Sequence, residues 1–197
     1  MKGLLKKDFL MIKSYCKIYF AFVAILFFTL AFSSDYYIVS FLFLIPSMIV
    51  IVLMSYDERN GWDTYWRYLP VNIKQVVSCK YLIGLIIVTI IVVCSSLIVG
   101  IRDIEMLKNE ILGFIIIPLV SLSLITPFYF RLGVQKARIA YYVAFGATSA
   151  LLTQASSFNL NNVYISDLII VIFIFMLFGL SWLLSIKLYE RRLSKLR

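Results

Sequence analysis

The sequence predicts an all-α polytopic membrane protein. It is read as a bundle of six transmembrane helices, with an amphipathic helix before the first span and a short cytoplasmic helix between spans two and three. Three observations predict it. The chain is 62% hydrophobic with only 15% charged residues, and its mean hydropathy is +0.96. A soluble domain is roughly 45–50% apolar by a similar count, so there is too little polar surface here to cover a globule. Six uncharged stretches approach or exceed the roughly 17–25 residues that a spanning helix needs. Finally, Lys and Arg fall almost wholly on alternate connections, the signature of a fixed orientation in a bilayer.

Residues 1–17 precede the first span. At about 100° per residue, Lys2, Lys6, Lys13 and Lys17 fall on one narrow arc. Leu4, Leu5, Phe9, Met11, Ile12 and Tyr15 cover the neighbouring face, interrupted by Asp8. Such a helix lies in the membrane interface with its lysines on lipid phosphates. The plainer reading is a basic orientation signal with no further role.

The spans are read as 18–34, 36–56, 81–101, 111–130, 139–158 and 167–186. Ser33-Ser34-Asp35 supplies a tight turn between the first two, making a helical hairpin. Asn159, Asn161 and Asn162 mark the loop between the last two, although the uncharged run continues to 166. Pro118 and Pro127 in span four, with Ser121, Ser123 and Thr126 nearby, predict a kinked helix whose freed carbonyls find hydroxyl or water partners. In span five, Ala140 and Ala144, and then Gly146 and Ala150, are each spaced i, i+4 and permit close helix approach, within the chain or between two copies. Gln154 is read as interfacial.

Lys and Arg number five in 1–17, four in 56–80, three in 131–138 and five in 187–197, against two in 102–110; the ten acidic residues divide evenly between the two sides. Orientation follows Lys and Arg, so the basic side, with both termini, is cytoplasmic. A net charge of +9 distributed this way points to a membrane surface and not to nucleic acid. Residues 187–197 form a basic cytoplasmic tail. An N-terminal signal peptide is not indicated, because the apolar run begins late and five more come after it.

No charged residue lies inside a proposed span core, where ion-coupled transporters and voltage sensors place ionisable groups. The chain has no histidine, which removes Ser-His hydrolases and His-ligated metal sites. Cys16, Cys79 and Cys94 form no CxxC pair and are read as apolar fillers. No catalytic residue, cofactor site or metal site is expected, and an enzyme reading is poor.

The connection 56–80 is patterned. Asn60-Gly61 ends the helix of span two, and Trp62, Tyr65, Trp66 and Leu69 then recur at i, i+3, i+4 and i+7, an amphipathic face of a short helix. Asp63 and Arg67 stand four apart on the other side. Pro70 stops this helix, and Asn72 with Gln75 forms a capping-box-like start for the next. A helix rich in Trp, Tyr and Arg suits docking in a partner's groove; the alternative is an aromatic belt at the headgroups.

The start MKGLLKKDF and the segment SYDERNGWDTYWRYLPVNIKQVVSCKYL resemble permease subunits of type-2 ATP-binding-cassette exporters, particularly small bacterial ones. The residues that carry the likeness are Tyr56, Asp57, Glu58, Trp62, Leu69, Pro70, Val71, Lys74, Lys80 and Tyr81. The resemblance implies that the connection is the coupling helix seated on a separate ATPase, within a coupling segment at 57–70. Trp62, Tyr65, Trp66, Arg67, Leu69 and Pro70 would form the contact, and Asp57 and Glu58 would offer acceptors to the ATPase. It also implies an amphipathic elbow at 1–17, a second permease copy or paralogue, and export of an unidentified peptide, lipid or drug-like substrate across the cell membrane. The sequence has no G-x-x-x-x-G-K-[ST] phosphate loop, so ATP hydrolysis belongs to another chain. The competing readings are a non-transporting scaffold, such as an immunity or assembly protein, and a stand-alone secondary transporter, which the uncharged spans disfavour.

Overall fold

In a computed structural model the described residues are 2–32, 37–102, 104–139, 142–143 and 167–194. They are helical almost throughout, and no strand occurs among them. Helix α1 is Lys2–Tyr15 and α2 is Lys17–Phe32; α3 is Tyr37–Arg59; α4 is the single turn Trp62–Tyr65, followed by a 3₁₀ turn, Trp66–Tyr68. Two long helices come next, α5 over Ile73–Arg102 and α6 over Ile104–Leu132, and the chain closes with α7, Asp167–Ser194. Residues 134–139 add a short helical stretch.

Three of these helices are long and apolar enough to cross a membrane: Ile73–Ile101, Gly113–Leu132 and Val171–Arg192. Lys2–Tyr15 and Lys17–Leu30 pass the same test only as a pair, bent by 71°. The bend falls at Cys16, which is fully buried. The expected turn Ser33-Ser34-Asp35, the fifth span over 139–158 with its small residues, Gln154 and the asparagines after it lie outside the described residues, apart from positions 139, 142 and 143.

The long helices extend past the apolar stretches that identify them. Hydropathy marks where lipid surrounds a helix, whereas backbone hydrogen bonding continues into the headgroup layer as long as side chains pack there. Thus α5 begins at Ile73, just after the start signal at Asn72 and eight residues before the span read at 81–101, and Lys80 sits in its second turn with only 5% of its surface exposed. The physical reason is ion pairing with two carboxylates from α1 and α3.

The core runs along α3, α5, α6 and α7, with Ile49, Val50, Leu53, Val77, Leu122 and Ile125 nearly inaccessible. Helix α6 packs against α7, α5 and α3. It continues through Pro118 and Pro127. A proline removes the bond to the carbonyl four residues earlier, which for Pro127 is that of Ser123. Ser181 of α7 donates to that carbonyl at 2.6 Å, so the freed acceptor becomes a link between helices.

The same serine belongs to a buried knot around Tyr81 of α5. The Tyr81 hydroxyl lies 2.7 Å from Ser181 Oγ and 2.7 Å from Ser185 Oγ, both on α7, and Thr126 of α6 donates to it at 2.6 Å. Because Ser181 spends its proton on Ser123, Tyr81 donates to Ser181 and accepts from the other two hydroxyls. Bonds of this kind between membrane helices contribute roughly 0.6–2 kcal/mol each. They tie α5, α6 and α7 into one unit just inside the basic end of the bundle.

Candidate functional site: the basic end of the bundle

Four charged side chains from three helices converge at the end of the bundle that carries α4. Lys80 of α5 donates to both oxygens of Asp8 at 2.9 Å each and to Asp57 Oδ2 at 2.6 Å. Lys7 of α1 donates to Asp57 Oδ1 at 2.7 Å and lies 3.3 Å from Asp8 Oδ1. Cys79 directs its thiol at Asp8 Oδ2, 3.6 Å away. The side chains of Lys80, Asp8 and Asp57 are 5%, 2% and 6% exposed, and that of Lys7 is 25% exposed. Two cations balance two anions, which is what allows a group this dry to exist, since an isolated buried charge costs several kcal/mol. Asp8, which breaks the apolar face of α1 in sequence, is therefore the residue that anchors α1 to α5.

Helix α1 has a second anchor. Tyr15 stacks on Tyr56 of α3, ring centroids 4.0 Å apart at 24°. Lys2, Lys6, Lys13 and Lys17 are all exposed, while Leu4 and Ile12 are buried against the bundle. Phe9, expected on the same apolar face, is 68% exposed.

The turn that bears the aromatic cluster is shorter and tighter than one continuous helix. Helix α3 ends at Arg59, and Gly61 takes φ 67°, a left-handed conformation that reverses the chain into α4. After one α-turn the backbone tightens to 3₁₀ geometry at Trp66 and then becomes extended at Leu69. Asn72 starts α5, its carbonyl accepting from the Gln75 and Val76 amides at 2.9 and 3.2 Å.

This geometry separates residues that periodicity places on one face. Trp66 turns inward, 5% exposed, and its indole Nε1 donates to the Tyr189 hydroxyl of α7 at 2.9 Å. Tyr189 is itself buried beside Phe130 of α6, ring centroids 5.0 Å apart. Trp62 is half-buried, with the Lys7 ammonium 3.7 Å from the centroid of its ring. That distance is well within cation–π range. Tyr65 and Tyr68 point away from the bundle, 58% and 89% exposed, and Pro70 is also exposed. The backbone of Arg67 lies in the 3₁₀ turn, while the side chains of Arg67 and Asp63 lie outside the described residues.

Two expectations are corrected by these contacts. Trp66 does not lie on the outer face, because it stands one α-helical turn after Trp62, its N–H bonded to the Trp62 carbonyl, on the side that packs against α7. Asp57 does not offer a free acceptor, because both of its oxygens are taken by Lys7 and Lys80. Glu58, which remains open to solvent, bridges three elements: Val134 N donates to its Oε2 at 2.8 Å, and Arg192 of α7 approaches Oε1 at 3.4 Å. The sequence signals for these partners are weak, since Asp8 and Lys80 stand 72 residues apart and Glu58 and Arg192 stand 134 apart.

Gly133 makes the Glu58 bridge possible. Its φ is +82°, and a Cβ there would meet Glu58 Oε1 at 3.1 Å. Gly133→Ala is expected to destabilise the protein by about 1–2 kcal/mol, the usual cost of a left-handed conformation for a residue with a Cβ. Thermal unfolding in detergent, followed by far-UV circular dichroism, measures it.

The arrangement holds a chain reversal with one aromatic face buried in a helical membrane bundle and the other presented outward. No group of three or more residues suited to a metal ion occurs among the described residues. These are the features of a helical membrane protein. A family model described as "ABC-2 family transporter protein" matches residues 3–190. The chain belongs to that family, and it is a type-2 ATP-binding-cassette transporter permease. No curated protein and no solved structure matches it.

Proposed function

We propose that this permease forms the membrane pathway of a bacterial exporter driven by a separate cytoplasmic ATPase, and that segment 57–70 is its coupling element. In this reading the chain crosses the cell membrane six times, with both termini and the basic end in the cytoplasm. Two copies, or a copy and a paralogue, enclose a pathway for a peptide, lipid or drug-like substrate. The permease carries the path and supplies no catalytic group, while hydrolysis occurs on the partner.

The observation that carries the reading is the two-sided turn at 62–68. Its inner side is fixed by Trp66 on Tyr189 of α7 and by Lys7 over Trp62. Its outer side presents Tyr65 and Tyr68. A push on the outer tyrosines is delivered through Trp66 to α7, and through the Lys7–Asp57–Lys80–Asp8 group to α3, α5 and α1. The driving force enters as a rigid-body displacement, which suits spans without ion-coupling charges.

The docking surface then consists of Tyr65, Tyr68 and Pro70 with the neighbouring Arg67 and Leu69, while Trp66, Asp57 and Glu58 hold the turn from behind. Replacing both Tyr65 and Tyr68 by Ala is expected to weaken association with the ATPase about thirtyfold, as loss of a tyrosine hot spot does. Co-purification of the two subunits at graded salt and detergent checks it. Wild-type retention by the double variant would remove the docking assignment and favour the scaffold reading.

A further inference from the structure

Helix α1, bent across the end of α2, closes one end of an apolar cavity of about 450 Å³ between α1, α2, α3 and α5. The volume is in the usual range for a ligand site, roughly 300–1,000 Å³. Phe20 and Phe27 of α2 form one wall, and Ile83, Ile87 and Ile90 of α5 form the other, a single helical face extending about 10 Å along the axis. Leu5, Phe9 and Ile12 of α1 close the end, and Lys6 is the one charged residue among the described residues of the lining. Lys6 is exposed, and Phe9, Phe20 and Ile90 at the rim are 68%, 50% and 57% exposed, so the cavity opens sideways.

We infer that this groove is a binding site for one anionic phospholipid, with an acyl chain along Ile83–Ile90 and the phosphate on Lys6. The inference rests on the proposed placement of α1 in the membrane interface. The chemistry of the lining selects the ligand class. A water-soluble molecule needs several convergent polar groups to fix it, and the groove is apolar almost throughout with the exposed Lys6 at its edge, the pattern of a lipid tail and its headgroup. A second copy of this chain is disfavoured by charge. A two-fold contact through the same surface would bring two stripes of Lys2, Lys6, Lys13 and Lys17 together, whereas an anionic headgroup neutralises one of them. A lipid seated there packs on both arms of the bend at Cys16 and holds α1 at its angle to α2.

The test uses the full-length protein, delipidated in detergent and titrated with phosphatidylglycerol or phosphatidylcholine, with bound lipid counted by native mass spectrometry. One tightly retained phosphatidylglycerol is expected. Lys6→Gln should lower its affinity about fivefold while leaving phosphatidylcholine unchanged, and Ile87→Trp, which fills the groove, should abolish retention of either lipid. Lys136→Gln, whose residue is exposed and outside the groove, serves as the control, and circular dichroism confirms helicity in each variant. Equal affinity for the two lipids in the wild type overturns the anionic assignment. Unchanged retention in Ile87→Trp overturns the groove. A dimer that Ile87→Trp dissolves, with lipid retention unaltered, assigns the surface to a second copy instead. The parent reading is tested separately by a nitroxide at Lys13→Cys in a Cys94→Ser background, whose depth in vesicles reports whether α1 lies at the headgroups even if no lipid is retained.

Discussion

Replacing Lys80 by methionine is expected to lower the unfolding free energy by about 3–5 kcal/mol, the usual cost of removing one partner from a buried ion pair. The size reflects the charges left behind. Asp8 and Asp57, with side chains 2% and 6% exposed, would face each other with only the partly hydrated Lys7 between them. Replacing one cation and one anion together removes that penalty: the double variant Asp8→Asn, Lys80→Met keeps the Lys7–Asp57 pair and is expected to recover much of the loss, because no charge is left without a partner. Unfolding midpoints of the two variants in graded SDS separate these outcomes. A single variant as stable as wild type would mean that the cluster is hydrated and does not fasten α1 to α5.

Trp66→Ala is the second large effect, an expected loss of about 3–5 kcal/mol from deleting a buried indole. The indole also donates to Tyr189 at 2.9 Å. Trp66→Phe separates the two contributions, since it keeps most of the packing and gives up a hydrogen bond of about 1 kcal/mol. The pair of aromatic positions then distinguishes transmission from docking. Trp66→Phe should leave ATPase association within roughly twofold of wild type while reducing the stimulation of ATP hydrolysis by the permease. The Tyr65→Ala, Tyr68→Ala double variant should lose association itself. If Trp66→Phe releases the ATPase as the tyrosine variant does, the inner and outer roles assigned to the turn are wrong.

The helical membrane class is legible in the sequence because apolar run length and the spacing of Lys and Arg are imposed by the bilayer itself, and the transporter family is legible through the likeness carried by the start MKGLLKKDF and the segment from Ser55 to Leu82. Helix ends are less legible. The start of α5 at Ile73 follows the signal at Asn72 and Gln75, but the stretch read at 111–130 belongs to a helix starting at Ile104. Hydropathy records the lipid boundary, and a helix need not stop there. The contacts at the basic end are the least legible. Periodicity states which residues share a face but not which face is buried. Trp62 and Trp66, one α-turn apart, do share a side, and it is the side turned to the bundle, while Tyr65 and Tyr68 stay out. In sequence Asp8 reads as a flaw in an amphipathic helix. Its meaning lies in Lys80, which sequence spacing does not connect to it, although a lone acid on the apolar side of a basic helix and a lone lysine beside a span are the kind of pair that burial brings together.

The central claim, that an outward-facing turn at 65–68 meets a cytosolic ATPase, is tested most directly by site-specific photo-crosslinking in living cells. A photoreactive residue is introduced singly at position 65, 66, 68 or 9. The account predicts adducts with a P-loop ATPase subunit from positions 65 and 68, none from the buried position 66, and lipid adducts from position 9. An ATPase adduct absent at 65 and 68, or formed only from position 9, would contradict it.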